Sequence, residues 1–391
     1  MRCFSYATIE QNSEALDLLF MTLYRKAAHS THPAVRWAAL VVVMLAIVAL
    51  VLVGSPFARA LGPADVLLNS EQLVAPVRSD DFDYTVALPI VFQSHRTWYP
   101  RDMIAFERMV QPPDNHDIFV MYKDGSRQEN ITNRPDSDDG APSWSPDGNH
   151  IAFSSNRMGI GSRNIFAVDL RTLEVTQLTS GANNDRWPTW SPNGDKIAFM
   201  RETNVGTPAA TVHIYVMDAD GGNVQQLTSW DGGNTFPAWS PDGDWIAFTS
   251  DRFFAGRDLW RMRADGSDEQ VVLRTDRPDP ANDRRDEVYP TWSPDGWIYY
   301  TYKVGPKGNT GDDLYRIQPN GSNREQVFND EIDRYIASFA PDGQCFVFYS
   351  YLDDTGGGDK EVWKWCNGYT HALNLTQNDV ADEFCAWSPV P

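Results

Sequence analysis

The chain has 391 residues, with 33 Lys+Arg against 53 Asp+Glu, a formal net charge of −20. That balance argues against nucleic acid as a partner, because phosphate binding needs clustered Lys and Arg. Four cysteines are too few for a disulfide scaffold, and 42% hydrophobic with 12% aromatic residues excludes wholesale disorder.

In chain order, residues 1–36 read as a short cytoplasmic tail. Trp37 to Val53 carries no charge. As a helix it spans about 26 Å, and extension to Phe57 covers a hydrocarbon core of ~30 Å. Arg25, Lys26 and Arg36 precede it and Arg59 follows. The positive-inside bias keeps the N-terminus in the cytoplasm and sends the remainder across. We therefore expect a single-pass membrane anchor over 37–57. The alternative is secretion after signal cleavage near Ala60, since Ala58-Arg59-Ala60 has the small-x-small pattern. Residues 58–100 read as a stalk, leaving 101–391 as the folded domain.

That domain is one unit repeated. Trp-Ser-Pro-Asp-Gly stands at Trp144, Trp239 and Trp292, with variants starting at Trp190 and Phe339 and a last Trp-Ser-Pro at Trp387. The spacings are 46, 49, 53, 47 and 48 residues. Each turn is followed by a β-branched or aromatic run at Ile151, Ile197, Ile246, Ile298 or Phe346. An alternating strand follows from Asn164, His213, Asp258, Asp313 or Glu361, then an Asp-Gly or Asn-Gly turn at most positions. Gly accepts positive φ without steric cost, so these turns predict hairpins. Four antiparallel strands per unit, repeated radially, make a β-propeller. Residues 103–132 hold a repeat without its first strand, and the C-terminus holds a first strand without its repeat. Together they complete one blade. The prediction is an all-β six-bladed propeller closed by about Glu383–Ser388 pairing beside Ile104–Phe106.

The Trp-Ser-Pro-Asp-Gly turn, the Ile-Ala-Phe run, the Asp-Ile-Tyr/Phe-Val-Met strand and the Leu-Thr ending resemble the WD40-like repeats of the TolB-like family. Related repeats occur in the propellers of prolyl-oligopeptidase-type peptidases. The resemblance covers about 103–389 and implies a six-bladed propeller with a binding role. The α/β domain of TolB and the α/β-hydrolase domain of the peptidases have no counterpart in this pattern.

Connection lengths vary at two places per blade, both on one face, which predicts binding there. On that face, five residues before each Trp, stand Asp139, Asp185, Asn234, Glu287 and Asp382. In the remaining blade Asp333 adjoins Arg334 at this position. Such a ring at the channel mouth suits Ca²⁺ or a cationic peptide. The competing reading is that each group caps a turn or bonds a neighbouring blade. The repeated tryptophans are expected to pack between blades. Cys345 and Cys366 occupy mirror positions of one hairpin and are a disulfide candidate. No G-x-S-x-G elbow, H-E-x-x-H motif or P-loop is present. The expected function is a membrane-tethered, non-catalytic propeller that binds a protein or peptide outside the cytoplasm. The alternative is a propeller hydrolase or lyase acting on peptide or glycan at the channel mouth.

Overall fold

A computed structural model describes residues 102–390, apart from 112–114, 160–161, 231, 254–255, 275–284, 305–311, 329–331 and 352–358. The expected tail, membrane anchor and stalk lie outside the described residues. Among the described residues, no helix is long and apolar enough to cross a membrane.

Six four-stranded antiparallel sheets form the blades of a propeller. Blade I takes its first, innermost strand from the C-terminus, Asp382–Trp387, and its second, third and fourth from Met103–Gln111, Asn115–Tyr122 and Glu129–Asn130. The ring closes with Trp387 opposite Ile104 and Asp382 opposite Arg108. The first strands of blades II to VI are Asp139–Trp144, Asn184–Trp190, Asn234–Trp239, Arg285–Trp292 and Arg334–Phe339. The predicted blade count and closure both hold.

The core lies between blades. Second strands are buried on both faces, so their residues alternate between two neighbours. Ile151 and Phe153 of blade II pack with Met103, Ala105 and Ile118 of blade I, whereas Ala152 packs with Ile197 and Phe199 of blade III. Small Ala beside large Phe lets adjacent sheets approach closely while filling the space. The tryptophans join this packing and staple blades. Nε1 of Trp144, Trp239 and Trp292 donates to the carbonyls of Ala386, Thr189 and Ala238, each in the preceding blade.

Strand one turns into strand two through the repeated tight turn. At Gly148 φ is +69°, a conformation Gly alone takes freely. Ser145 Oγ donates to Asp147 Oδ1 at 2.6 Å and accepts the His150 N–H at 2.9 Å. These turns stand at one end of the channel. The longer connections between strands two and three and between blades stand at the other.

Candidate functional site

The predicted ring residues come together around the loop end of the channel, and their side chains are engaged within the fold. Asp139, Asp185, Asn234, Glu287 and Asp382 are fully buried. An Arg from the second strand of the same blade, or just past it, reaches four of them. Arg157 Nη2 lies 2.7 Å from Asp139 Oδ2, and Arg201 holds Asp185 through two contacts of 2.6 and 2.7 Å. Arg108 holds Asp382 at 2.6 and 2.8 Å, and Arg252 donates to Asn234 Oδ1 at 3.2 Å. Each guanidinium also stacks on aromatic rings from strands two and three. Arg157 lies 4.9 Å from both Phe153 and Phe166, and Arg252 lies 4.0 Å from Trp260. Burial pushes the Asp139 carboxyl up, with Arg157 and Ser155 pulling against it.

The other two blades depart from this clamp. Glu287 has Tyr302 where an Arg would stand, and its backbone N–H donates to the Arg257 carbonyl at 3.0 Å. In blade VI the cation itself, Arg334, takes the carboxylate position, 4.2 Å from the Phe328 ring. Asp333 stands one residue earlier and accepts the Asp312 N–H at 2.9 Å. Asp138 and Asp286 do the same for His116 and Arg257. Carboxylates at this position therefore staple blades II, V and VI each to the one before it. Among the described residues, no three His, Cys, Asp or Glu side chains are grouped to hold a metal. Carboxylates already bonded to guanidinium groups offer Ca²⁺ no ready ligand set.

The clamp arginines were missed in the sequence, although they recur four or six residues after the strand-two Ile (Arg108, Arg157, Arg201, Arg252). A second missed feature sits deeper. Every first strand has a register break near its middle. At the break Ala141, Trp187, Phe236, Tyr289 and Phe384 have φ of +55°, +57°, +57°, +54° and +43°. Bulky residues rarely adopt this conformation, which costs about 1–2 kcal/mol each. Pro142, Pro188, Pro237 and Pro290 follow four of them, where the broken ladder needs no N–H donor.

The break gathers the aromatic residues on the axis. Trp187 lies 4.9 Å from Phe236 and 4.5 Å from Phe384, and Phe236 lies 4.4 Å from Tyr289. Tyr349 extends the group, 5.0 Å from Phe384. This plug divides the channel. On the tight-turn side it floors a cavity of about 250 Å³, walled by the prolines, Trp144 and Trp387, with no charged residue in the lining. None of the predicted ring residues lines it. The Trp387 Nε1 has no hydrogen-bond partner there.

On the loop side stands Glu107, buried between blades I and II. Its Oε2 accepts the Ala141 N–H at 2.9 Å, and a Cβ at Gly140 would lie 2.4 Å from the same oxygen. Burial, then the Glu383 carboxylate opposite it in register, raises its pKa to about 7. Lys360 Nζ lies 2.9 Å from Glu383 Oε1. Cys345 and Cys366 are directly opposed and joined by a disulfide. Cys385 is a buried free thiol whose pKa is pushed up by burial.

The family model described as the TolB beta propeller domain matches residues 104–212 and 205–390. No curated protein matches the sequence. Among solved structures, TolB from Acinetobacter baumannii is 20% identical with a TM-score of 0.60, over 73% of this chain and 66% of that one. A putative TolB from Agrobacterium tumefaciens is 19% identical with a TM-score of 0.53, over 73% and 91%. Hydrazine synthase from Kuenenia stuttgartiensis is 15% identical with a TM-score of 0.59, over 74% and 47%. At these identities the structural likeness speaks for fold alone, and this chain spans about two thirds of the A. baumannii protein. With the family model matched across all six blades, the chain belongs to the TolB β-propeller family.

Proposed function

We propose that the protein is a non-catalytic binding propeller, tethered through residues 37–57, that holds a protein or peptide partner at the extracytoplasmic side of the cell envelope. The uncharged cavity on the channel axis carries this reading. Five residues held at positive φ line it, four of them aromatic, and strain of this kind persists where the surrounding fold imposes it for a purpose. A volume near 250 Å³ suits one large apolar side chain rather than a drug-sized ligand. Family membership supports a protein partner. A cationic partner draws support only from the overall charge of −20, since the ring carboxylates are spent internally.

The hydrolase or lyase alternative has Glu107 in its favour, because a carboxyl with a pKa near 7 suits proton transfer. That carboxyl is only 8% exposed, accepts a backbone N–H and does not line the cavity. Photo-cross-linking tests the binding reading. Benzoylphenylalanine placed at Pro389, on the cavity wall, should trap a protein in native membranes. The same group at Val271, 47% exposed on an outer strand, should not. Cross-links from position 271 alone would contradict the assignment.

A further inference from the structure

Beyond the aromatic plug, on the loop side, cations from three blades stand on one aromatic floor. Arg257 precedes the third strand of blade IV. Lys303 lies near the end of the second strand of blade V, Ile298–Val304. Lys360 opens the third strand of blade VI, Lys360–Cys366. The Arg257 Cζ is 5.7 Å from the Phe236 ring. Lys303 Nζ is 5.4 Å from Tyr289 and 4.9 Å from Tyr335. Lys360 Nζ is 5.9 Å from Tyr335 and 5.6 Å from Tyr349. The floor is continuous: Phe236–Tyr289, Tyr289–Tyr335 and Tyr335–Tyr349 centroids lie 4.4, 6.2 and 4.9 Å apart.

The cations are close enough to feel one another. Burial lowers the Lys303 pKa most, and Lys360 and Arg257 lower it further, against Asp312 and Asp286. Convergence of like charge is unfavourable unless an anion joins it. Both lysine side chains keep exposed surface, 34% for Lys303 and 25% for Lys360. Acids stand among these cations. Asp312 is 3.9 Å from Lys303 and accepts the Tyr335 hydroxyl, Glu383 binds Lys360, and Asp286 accepts the Arg257 N–H.

We propose that this end of the channel is a carboxylate-binding site, holding the charge of a peptide carboxylate among Arg257, Lys303 and Lys360 and its apolar body on Tyr289 and Tyr335. The aromatic floor favours an organic anion over a bare inorganic one. The neighbouring acids favour a single negative charge over a phosphate dianion. An anionic group is thus received at the face where the sequence suggested a cationic one, and the site stands independently of the uncharged cavity.

Calorimetric titration of the full-length protein tests this with N-acetylphenylalanine and its amide, which differ only in the charge. The acid should bind at least tenfold more tightly than the amide. Its affinity should fall as salt rises. Lys303→Met and Lys360→Met keep the apolar stems and should each weaken the acid at least fivefold, in variants whose circular dichroism spectra match that of the parent protein. Inorganic phosphate should compete poorly. Equal binding of acid and amide, acid binding unaffected by both substitutions, or phosphate competing as well as the acid would overturn the proposal.

Discussion

Deleting residues 384–391 should leave the propeller without a cooperative melting transition. The deletion removes most of the first strand of blade I. Trp387 and Cys385, 5% and 2% exposed, leave the cluster formed with Ile104, Phe106 and Val347. The Trp144 indole loses its acceptor on Ala386, and Met103 loses the Ser388 N–H. Each large apolar side chain lost costs about 2–5 kcal/mol once the cavity is counted. The second strand of blade I becomes an open edge. Together these losses approach the whole stability of a domain, about 5–15 kcal/mol. Circular dichroism against temperature reads the effect, and adding a peptide of residues 382–391 should restore part of the transition. A truncated chain melting within about 2 °C of the full one would show that the ring does not depend on this closure.

Glu107→Gln should stabilise the protein at alkaline pH and leave it unchanged near pH 4. The Glu107 pKa is about 7 in the folded chain, against 4.5 for an ordinary Glu. Between these values the folded state keeps a proton that the unfolded state has released, so stability falls as pH rises through this window. The full loss is about 3 kcal/mol above pH 7, from 1.36 kcal/mol per pKa unit. Gln still accepts the Ala141 N–H and carries no charge to repel Glu383. Urea midpoints of both proteins at pH 4, 6 and 8 should diverge progressively. Parallel curves would mean that Glu107 ionises as an ordinary surface carboxylate does.

The blade architecture was legible because its signals repeat. The Trp-Ser-Pro-Asp-Gly turns mark where each first strand ends, and the two incomplete repeats at the domain's ends imply the closure seen between Asp382–Trp387 and Met103–Gln111. The ring positions were also legible as positions: all come to one end of the channel. Their roles were not, because the partner arginines lie on another strand at one of two spacings. The plug was hidden for a different reason. The residue three before each repeated Trp is Ala, Trp, Phe, Tyr or Phe, so no motif repeats there. Only the register break turns that position toward the axis, and strict alternation along a strand does not foresee a break. Arg257 and Lys360 hold the same position, one residue before Asp258 and Glu361 at the start of the third strands of blades IV and VI, whereas Lys303 comes from the second strand of blade V, and only folding brings the three to one floor.

The Arg clamps also account for part of the charge pattern. Removing one partner of such a buried pair is costly, while exchanging both for apolar groups is nearly neutral. Their repetition in blades I, II and III, and in a neutral Asn form in blade IV, therefore points to fixing the strand one–strand two geometry from which the plug residues project.

Ala141→Trp separates a partner seated in the uncharged cavity on the propeller axis from one bound elsewhere. Ala141 lines the cavity at φ +55°, and Trp187 holds the equivalent position in blade III at +57°. A tryptophan at position 141 should therefore be accommodated and fill the space. Capture of the cross-linked partner by the full-length variant from native membranes should fall at least tenfold, with the melting temperature preserved. Undiminished capture by a folded Ala141→Trp protein would contradict seating in the cavity.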